Sequence, residues 1–135
     1  MIVGTFFQGS GLGDQLHRYI TVRTLAKDKG FAFAMFNPEN FKGRGFMEIE
    51  THQPSDIHWT VWNEKDVRDA NGVDIRSYDP EINFVEDDTT IDGYFEDEKY
   101  WKHRLDDIRE WLKVEPLEMP EDVCVIGFRG GEYAT

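Results

Sequence analysis

Within the first 36 residues the chain runs from an apolar strand through a glycine turn into a helix, then through another glycine into a second apolar strand, and this order leaves little choice of fold. Ile2-Val3-Gly4-Thr5-Phe6-Phe7 is β-branched and aromatic and runs straight into Gln8-Gly9-Ser10-Gly11-Leu12-Gly13, the pattern of a buried strand that turns sharply at its end. Residues 14–29 hold no Pro or Gly. Leu16, Tyr19, Ile20, Val22, Leu25 and Ala26 form a helical stripe there, with Asp14 as the expected N-terminal cap and Gly30 where a helix commonly ends. Phe31-Ala32-Phe33-Ala34-Met35-Phe36 then reads as a continuous buried strand stopped by Asn37-Pro38. Strand, helix and strand in this order make a βαβ unit, which implies an α/β fold on a parallel, Rossmann-like sheet.

The rest of the chain is read around that unit. Residues 37–90 carry turn signals at Asn37-Pro38, Gly43-Arg44-Gly45, Asn71-Gly72 and Asp79-Pro80, which predict long loops with one short strand near 57–61. A strand or extended segment is expected over 89–94, followed by a helix over 97–113 in which Trp101, Leu105, Ile108 and Leu112 recur at helical spacing. Trp101 belongs to that stripe and Tyr94, Phe95 and Tyr100 adjoin it, so core packing suits the four better than a sugar-stacking platform. The apolar run 123–128 predicts a last strand, within which the single cysteine, Cys124, reads as a small core residue and not a nucleophile.

Charge narrows the partners. The formal net charge is −12 over 135 residues, the wrong sign for a nucleic-acid surface, and residues 1–36 are the only net-positive third. The opening apolar run is too short to span a bilayer and lacks a basic flank and cleavage site. No membrane-spanning segment is expected, and the location is read as cytoplasmic or peripherally membrane-associated.

The glycine turn invites a nucleotide reading, which its spacing only partly supports. Gly9 and Gly11 fit the first two glycines of a dinucleotide-binding fingerprint, but Asp14 stands at the third, and no acidic residue closes the second strand. An NAD-linked oxidoreductase is therefore a lesser alternative. A phosphate-binding P-loop fails because no Gly-Lys-Ser/Thr follows. A glycine turn that feeds a helix N-terminus still suits an anion, since free N–H groups and the helix dipole point at it.

The longer strings carry a resemblance. Gly11-Leu12-Gly13-Asp14-Gln15-Leu16-His17-Arg18-Tyr19 with Leu25-Ala26, then Tyr78-Asp79-Pro80-Glu81, then Asp92-Gly93-Tyr94-Phe95-Glu96-Asp97-Glu98-Lys99-Tyr100-Trp101, occur in this order. So does the closing Val125-Ile126-Gly127-Phe128-Arg129-Gly130-Gly131-Glu132-Tyr133. Together they resemble glycosyltransferase family eleven, the inverting α1,2-fucosyltransferases. The resemblance covers nearly all of this chain and about the first half of a family member. It implies residues 1–135 as a GT-B-like N-terminal domain with its donor arginine motif at 125–133, the second domain being absent.

What the resemblance implies for the chemistry is specific. GDP-fucose would be the donor substrate and a glycan hydroxyl the acceptor, with no metal or other cofactor. Arg129, at the position of the motif's first arginine, would be the catalytic cation, holding the diphosphate as negative charge grows on it. Gly11, Gly13, Asp14, Gln15 and Glu132 would join it in binding the donor. Asp14 replaces the family's asparagine and can only accept where an amide could donate. Gly127 replaces the motif histidine, Gly130 the second arginine, Glu132 the aspartate and His17-Arg18 a Phe-Gln pair. These departures leave room for a non-catalytic nucleotide- or glycan-binding remnant as the alternative.

Overall fold

The computed structural model of the chain describes residues 1–54, 60–66, 68–128 and 130. The predicted βαβ unit forms as β1 (Ile2–Thr5), α1 (Leu12–Lys29) and β2 (Phe33–Phe36). Gly30 ends α1 in the left-handed conformation at φ 72°, and its N–H reaches the carbonyls of Ala26 and Lys27. The helix starts earlier than its charge pattern suggests. Gly11 is its N-cap, in an extended conformation, and Asp14 lies in the first turn, where its charge faces the dipole without capping the helix.

Two further strands, β3 (Thr60–Asn63) and β4 (Thr89–Asp92), complete a four-stranded sheet in the order β2-β1-β4-β3. Every pairing is parallel: Ile2 lies opposite Phe33 on one side and Thr89 on the other, and Thr60 lies opposite Thr89. The fold class read from the βαβ pattern, a Rossmann-like parallel α/β sheet, is therefore present. All four strands end at one edge, and the chain leaves β1 toward β2 on one side while β4 flanks β1 on the other. That reversal beside β1 opens a crevice in doubly wound sheets.

α1 packs directly on the sheet. A Cβ on Gly4 would fall 2.6 Å from Val22 Cγ2, so only glycine lets helix and strand approach this closely. Tyr19, Ile20, Val22, Leu25 and Ala26 are buried, as their stripe predicts, together with Ile2, Phe6, Met35, Phe95, Tyr100 and Ile108. Burying such side chains contributes about 1.5–3 kcal/mol each against exposure, the main term holding the layers together.

Four further expectations are corrected. The helix over 97–113 is broken into short 3-10 turns at Glu98–Tyr100 and Lys102–Arg104 before α2 (Leu105–Trp111). The interruption is at Trp101, whose φ of −139° and ψ of −9° are not helical. Asp97 causes the early turn by accepting from the Lys99 N–H while its other oxygen holds the Tyr78 N–H at 2.9 Å. Residues 123–128 form no strand and stand exposed, Phe128 at 89%, and Cys124 is exposed instead of buried. Their backbone has no ladder partner among the described residues, and an apolar run without one gains nothing from extension. Tyr94 is 41% exposed and leaves the core to Phe95 and Tyr100.

Candidate functional site

The glycine turn sits at the carboxyl edge of β1, and its parts have different tasks. Gly9 has a φ of 85°, which the turn requires of a residue without a Cβ. Gly13 needs no such freedom, and a Cβ built there would meet nothing within 4 Å. At Gly11 the nearest atom to a built Cβ is Asp14 Oδ2 at 3.9 Å, and both glycines are exposed. No side chain caps α1, so the open backbone around Gly11, Gly13 and Asp14 faces outward at the positive end of an 18-residue helix.

Gln15 is not open in the same way. It is fully buried, and its amide nitrogen donates to the Asn40 carbonyl at 2.8 Å and the Phe7 carbonyl at 3.4 Å, while its oxygen accepts from the Lys42 N–H at 2.9 Å. Asn40 adds a donor to the Phe6 carbonyl at 3.0 Å. The two amides clamp the loop after β2 onto the loop after β1, which fixes the turn without leaving Gln15 free for a ligand. Asn40 had no sequence signal, because its partners Phe6 and Gln15 lie 34 and 25 positions away. Arg129 and Glu132 lie outside the described residues.

Beside the turn, Arg18 bridges the ends of β1 and β4. Its Nε donates to the Gly93 carbonyl at 2.7 Å, and its guanidinium carbon lies 4.5 Å from the Phe7 ring centre and 5.6 Å from that of Tyr94. Its side chain is only 11% exposed, and among the described residues its ion-pair partner is Asp92 at 4.0 Å and its buried Nη1 has no hydrogen-bond partner. A buried donor left unmet costs about 1–3 kcal/mol, and more when charged. Arg18 thus carries bonding capacity that the described residues do not use.

Arg18 lines a cavity of about 290 Å³ with Glu64, Lys65, Arg76, Asp92 and Tyr94. Asp92, Gly93 and Tyr94 of one motif segment line it, and the other, 78–81, stands behind through Asp79, which holds Lys65 and Tyr100. Glu64, just past β3, accepts the N–H groups of Tyr94 at 3.0 Å and Phe95 at 3.3 Å. A Cβ on Gly93 would lie 2.5 Å from Glu64 Cβ, so glycine is required there by close approach. Phe95 is held at φ 53°, a strained conformation for a bulky residue, while its ring is buried between Trp62 and Tyr100. Asp79 receives the Lys65 N–H at 3.2 Å and the Glu81 N–H at 3.1 Å, and its own N–H donates to the Tyr100 hydroxyl. The segments 78–81 and 92–101 are therefore one interlocked scaffold under the cavity.

Comparison with family models, curated proteins and solved structures finds no match to this chain.

The cavity mouth is mixed in charge. Arg68 is tied to Asp66 at 3.3 Å and Asp74 at 3.2 Å, and Arg76 to Glu96 at 2.6 Å with its guanidinium carbon 3.7 Å from the Tyr94 ring centre. Burial, reinforced by the Glu64 carboxylate beside it, pushes the Tyr100 hydroxyl well above its usual pKa, so it stays a neutral support of the floor. Burial likewise raises Tyr19, whose hydroxyl donates to the Glu50 carbonyl at 2.7 Å. Among the described residues no group of three or more His, Cys, Asp or Glu is arranged to hold a metal ion, and no helix is long and apolar enough to cross a membrane.

Proposed function

We propose that this chain is the Rossmann-like N-terminal part of a GT-B-type glycosyltransferase, which takes fucose from GDP-fucose and transfers it with inversion to a hydroxyl of a glycan. The observation that carries the reading is the meeting of the motif segments. The glycine turn and Asp92-Gly93-Tyr94 come together through Arg18 at the carboxyl ends of β1 and β4, the crevice where parallel sheets of this kind take their ligands.

The chemistry follows from the bond that breaks. As the anomeric carbon leaves the diphosphate, negative charge grows on the phosphate oxygens and positive charge on the sugar. The outward-facing N–H groups of the first turn of α1 and the guanidinium of Arg129 supply the fixed positive charge that this separation needs. Arg129 suits the task because it stays protonated and offers a planar fork to phosphate. Gly11 and Gly13 let the donor approach the backbone, Gln15 acts by holding the turn in shape, and Glu132 belongs to the donor side of the arginine motif. Inversion follows from one direct displacement by the acceptor oxygen, whose proton passes to a base.

Calorimetry with GDP-fucose and with GDP tests the reading, together with transfer to oligosaccharides followed by NMR of the new anomeric proton. Saturable binding that Arg129→Ala removes is the expected result. Absence of GDP-fucose binding, or binding indifferent to Arg129, overturns it. Saturable binding of NAD in its place would revive the oxidoreductase alternative.

A further inference from the structure

We infer that the cavity at the ends of β3 and β4 is a subsite for a neutral saccharide, and that Arg18 and Asp92 together grip a hydroxyl pair on its ring. The inference rests on the glycosyltransferase reading only for calling this sugar the acceptor; the binding itself requires no donor.

Arg18 has donors to spare. Its Nη1 is enclosed and has no partner among the described residues, its Nε is spent on the Gly93 carbonyl, and Nη2, 4.0 Å from Asp92 without closing a tight pair, is the nitrogen left to meet a hydroxyl. The Asp92 side chain is 45% exposed, so its oxygens are open to a ligand while the arginine beside it is not open to bulk water. A donor and an acceptor held this close match a diol, since each hydroxyl can accept from the guanidinium and donate to the carboxylate.

Charge decides against an anion. Arg18, Lys65, Arg68 and Arg76 line the cavity, but so do Glu64, Asp66, Asp74 and Asp92, and two of the arginines are already paired with carboxylates. A phosphate or uronate entering here would meet as many negative groups as positive ones. A neutral polyol meets alternating donors and acceptors and pays no repulsion. The volume of about 290 Å³ is at the small end of ligand pockets and suits one or two sugar rings.

Methyl galactoside, methyl glucoside and methyl mannoside are the neutral probes, with methyl glucuronide and inorganic phosphate as anionic ones, in titrations followed by the amide NMR signals of Gly93 and Tyr94. At least one neutral glycoside should shift these signals saturably, with an affinity that salt leaves unchanged. Asp92→Asn should weaken it severalfold, because the amide keeps the shape but loses an acceptor. Arg18→Lys should do the same, and the exposed Asp92 carries the test if the arginine variant fails to fold. No shift with any neutral glycoside overturns the inference. So does tighter binding of glucuronide or phosphate at the same amides, or a neutral affinity indifferent to Asp92→Asn. A separate titration with GDP-fucose distinguishes the two readings: its failure with sugar binding intact removes the donor assignment and leaves the subsite standing.

Discussion

The main-chain N–H of Asp79 donates to the hydroxyl of Tyr100 at 2.8 Å, joining residues 21 positions apart in a buried contact. The rings of Tyr78 and Tyr100 meet edge to face at 4.9 Å beside it. Through this pair the segment before the Pro80–Phe84 turn is fixed to the segment after β4, and both support Glu64 beneath the cavity.

Tyr100→Phe should therefore destabilise the fold by about 1–3 kcal/mol, since it leaves the Asp79 N–H buried without its acceptor. Urea denaturation measures this directly. A loss below the resolution of that experiment would mean that the hydroxyl is dispensable.

The same hydroxyl sets an alkaline limit. Tyr19 and Tyr100 both have raised pKa values in the folded protein, with burial the first cause of each. The folded state thus retains protons that an unfolded tyrosine releases near pH 10, so stability is full below about pH 10 and falls as pH rises through the folded values. Denaturation midpoints should decline above that pH, and the decline should be shallower in Tyr100→Phe.

Gly4 and Gly13 should respond oppositely to alanine. Gly4→Ala drives a methyl to 2.6 Å from Val22 and should cost about 1–3 kcal/mol. Gly13→Ala enters open space in the first turn of α1 and should stabilise by up to about 1 kcal/mol. If the backbone at Gly13 is where the donor approaches, the same variant should bind GDP-fucose more weakly. Melting temperature and calorimetry on one preparation measure both effects.

Gln15→Leu should cost about 2 kcal/mol or more, because it strips the Lys42 N–H and the Asn40 carbonyl of their partners at once. Hydrogen exchange should then quicken at Lys42, the signature of a loop released from its clamp.

Asp14→Asn should weaken α1 by about 0.3–1 kcal/mol, as a carboxylate is lost from the helix N-terminus. GDP-fucose binding should strengthen in return, since the amide removes a negative charge and can donate. Unchanged or weaker donor binding would show that Asp14 does not face the diphosphate.

The βαβ unit was legible because its signals are local. Apolar residues at helical spacing, glycine at each end and β-branched runs on either side specify strand, helix and strand, and α1 and β2 stand within three residues of their expected bounds. The break at Trp101 was not legible, because helical spacing continues through it. Trp101 leaves the helical conformation in a segment whose start, Asp97, is tied to the Tyr78 N–H 19 positions earlier.

The candidate site divides in the same way. The glycine turn and the segments 78–81 and 92–101 stand out in the chain as strings, and the sequence by itself determined that a flexible backbone would meet a helix N-terminus after β1. Tertiary structure decided the rest. It buried Gln15 by giving its amide three backbone partners, and it turned Arg18, a departure from the resembled pattern, toward Gly93 across 75 residues, with one nitrogen unmet among the described residues. Hydrogen bonds between distant residues exist only once the sheet has placed the strand ends side by side, so no local pattern can announce which polar group will be satisfied and which will not.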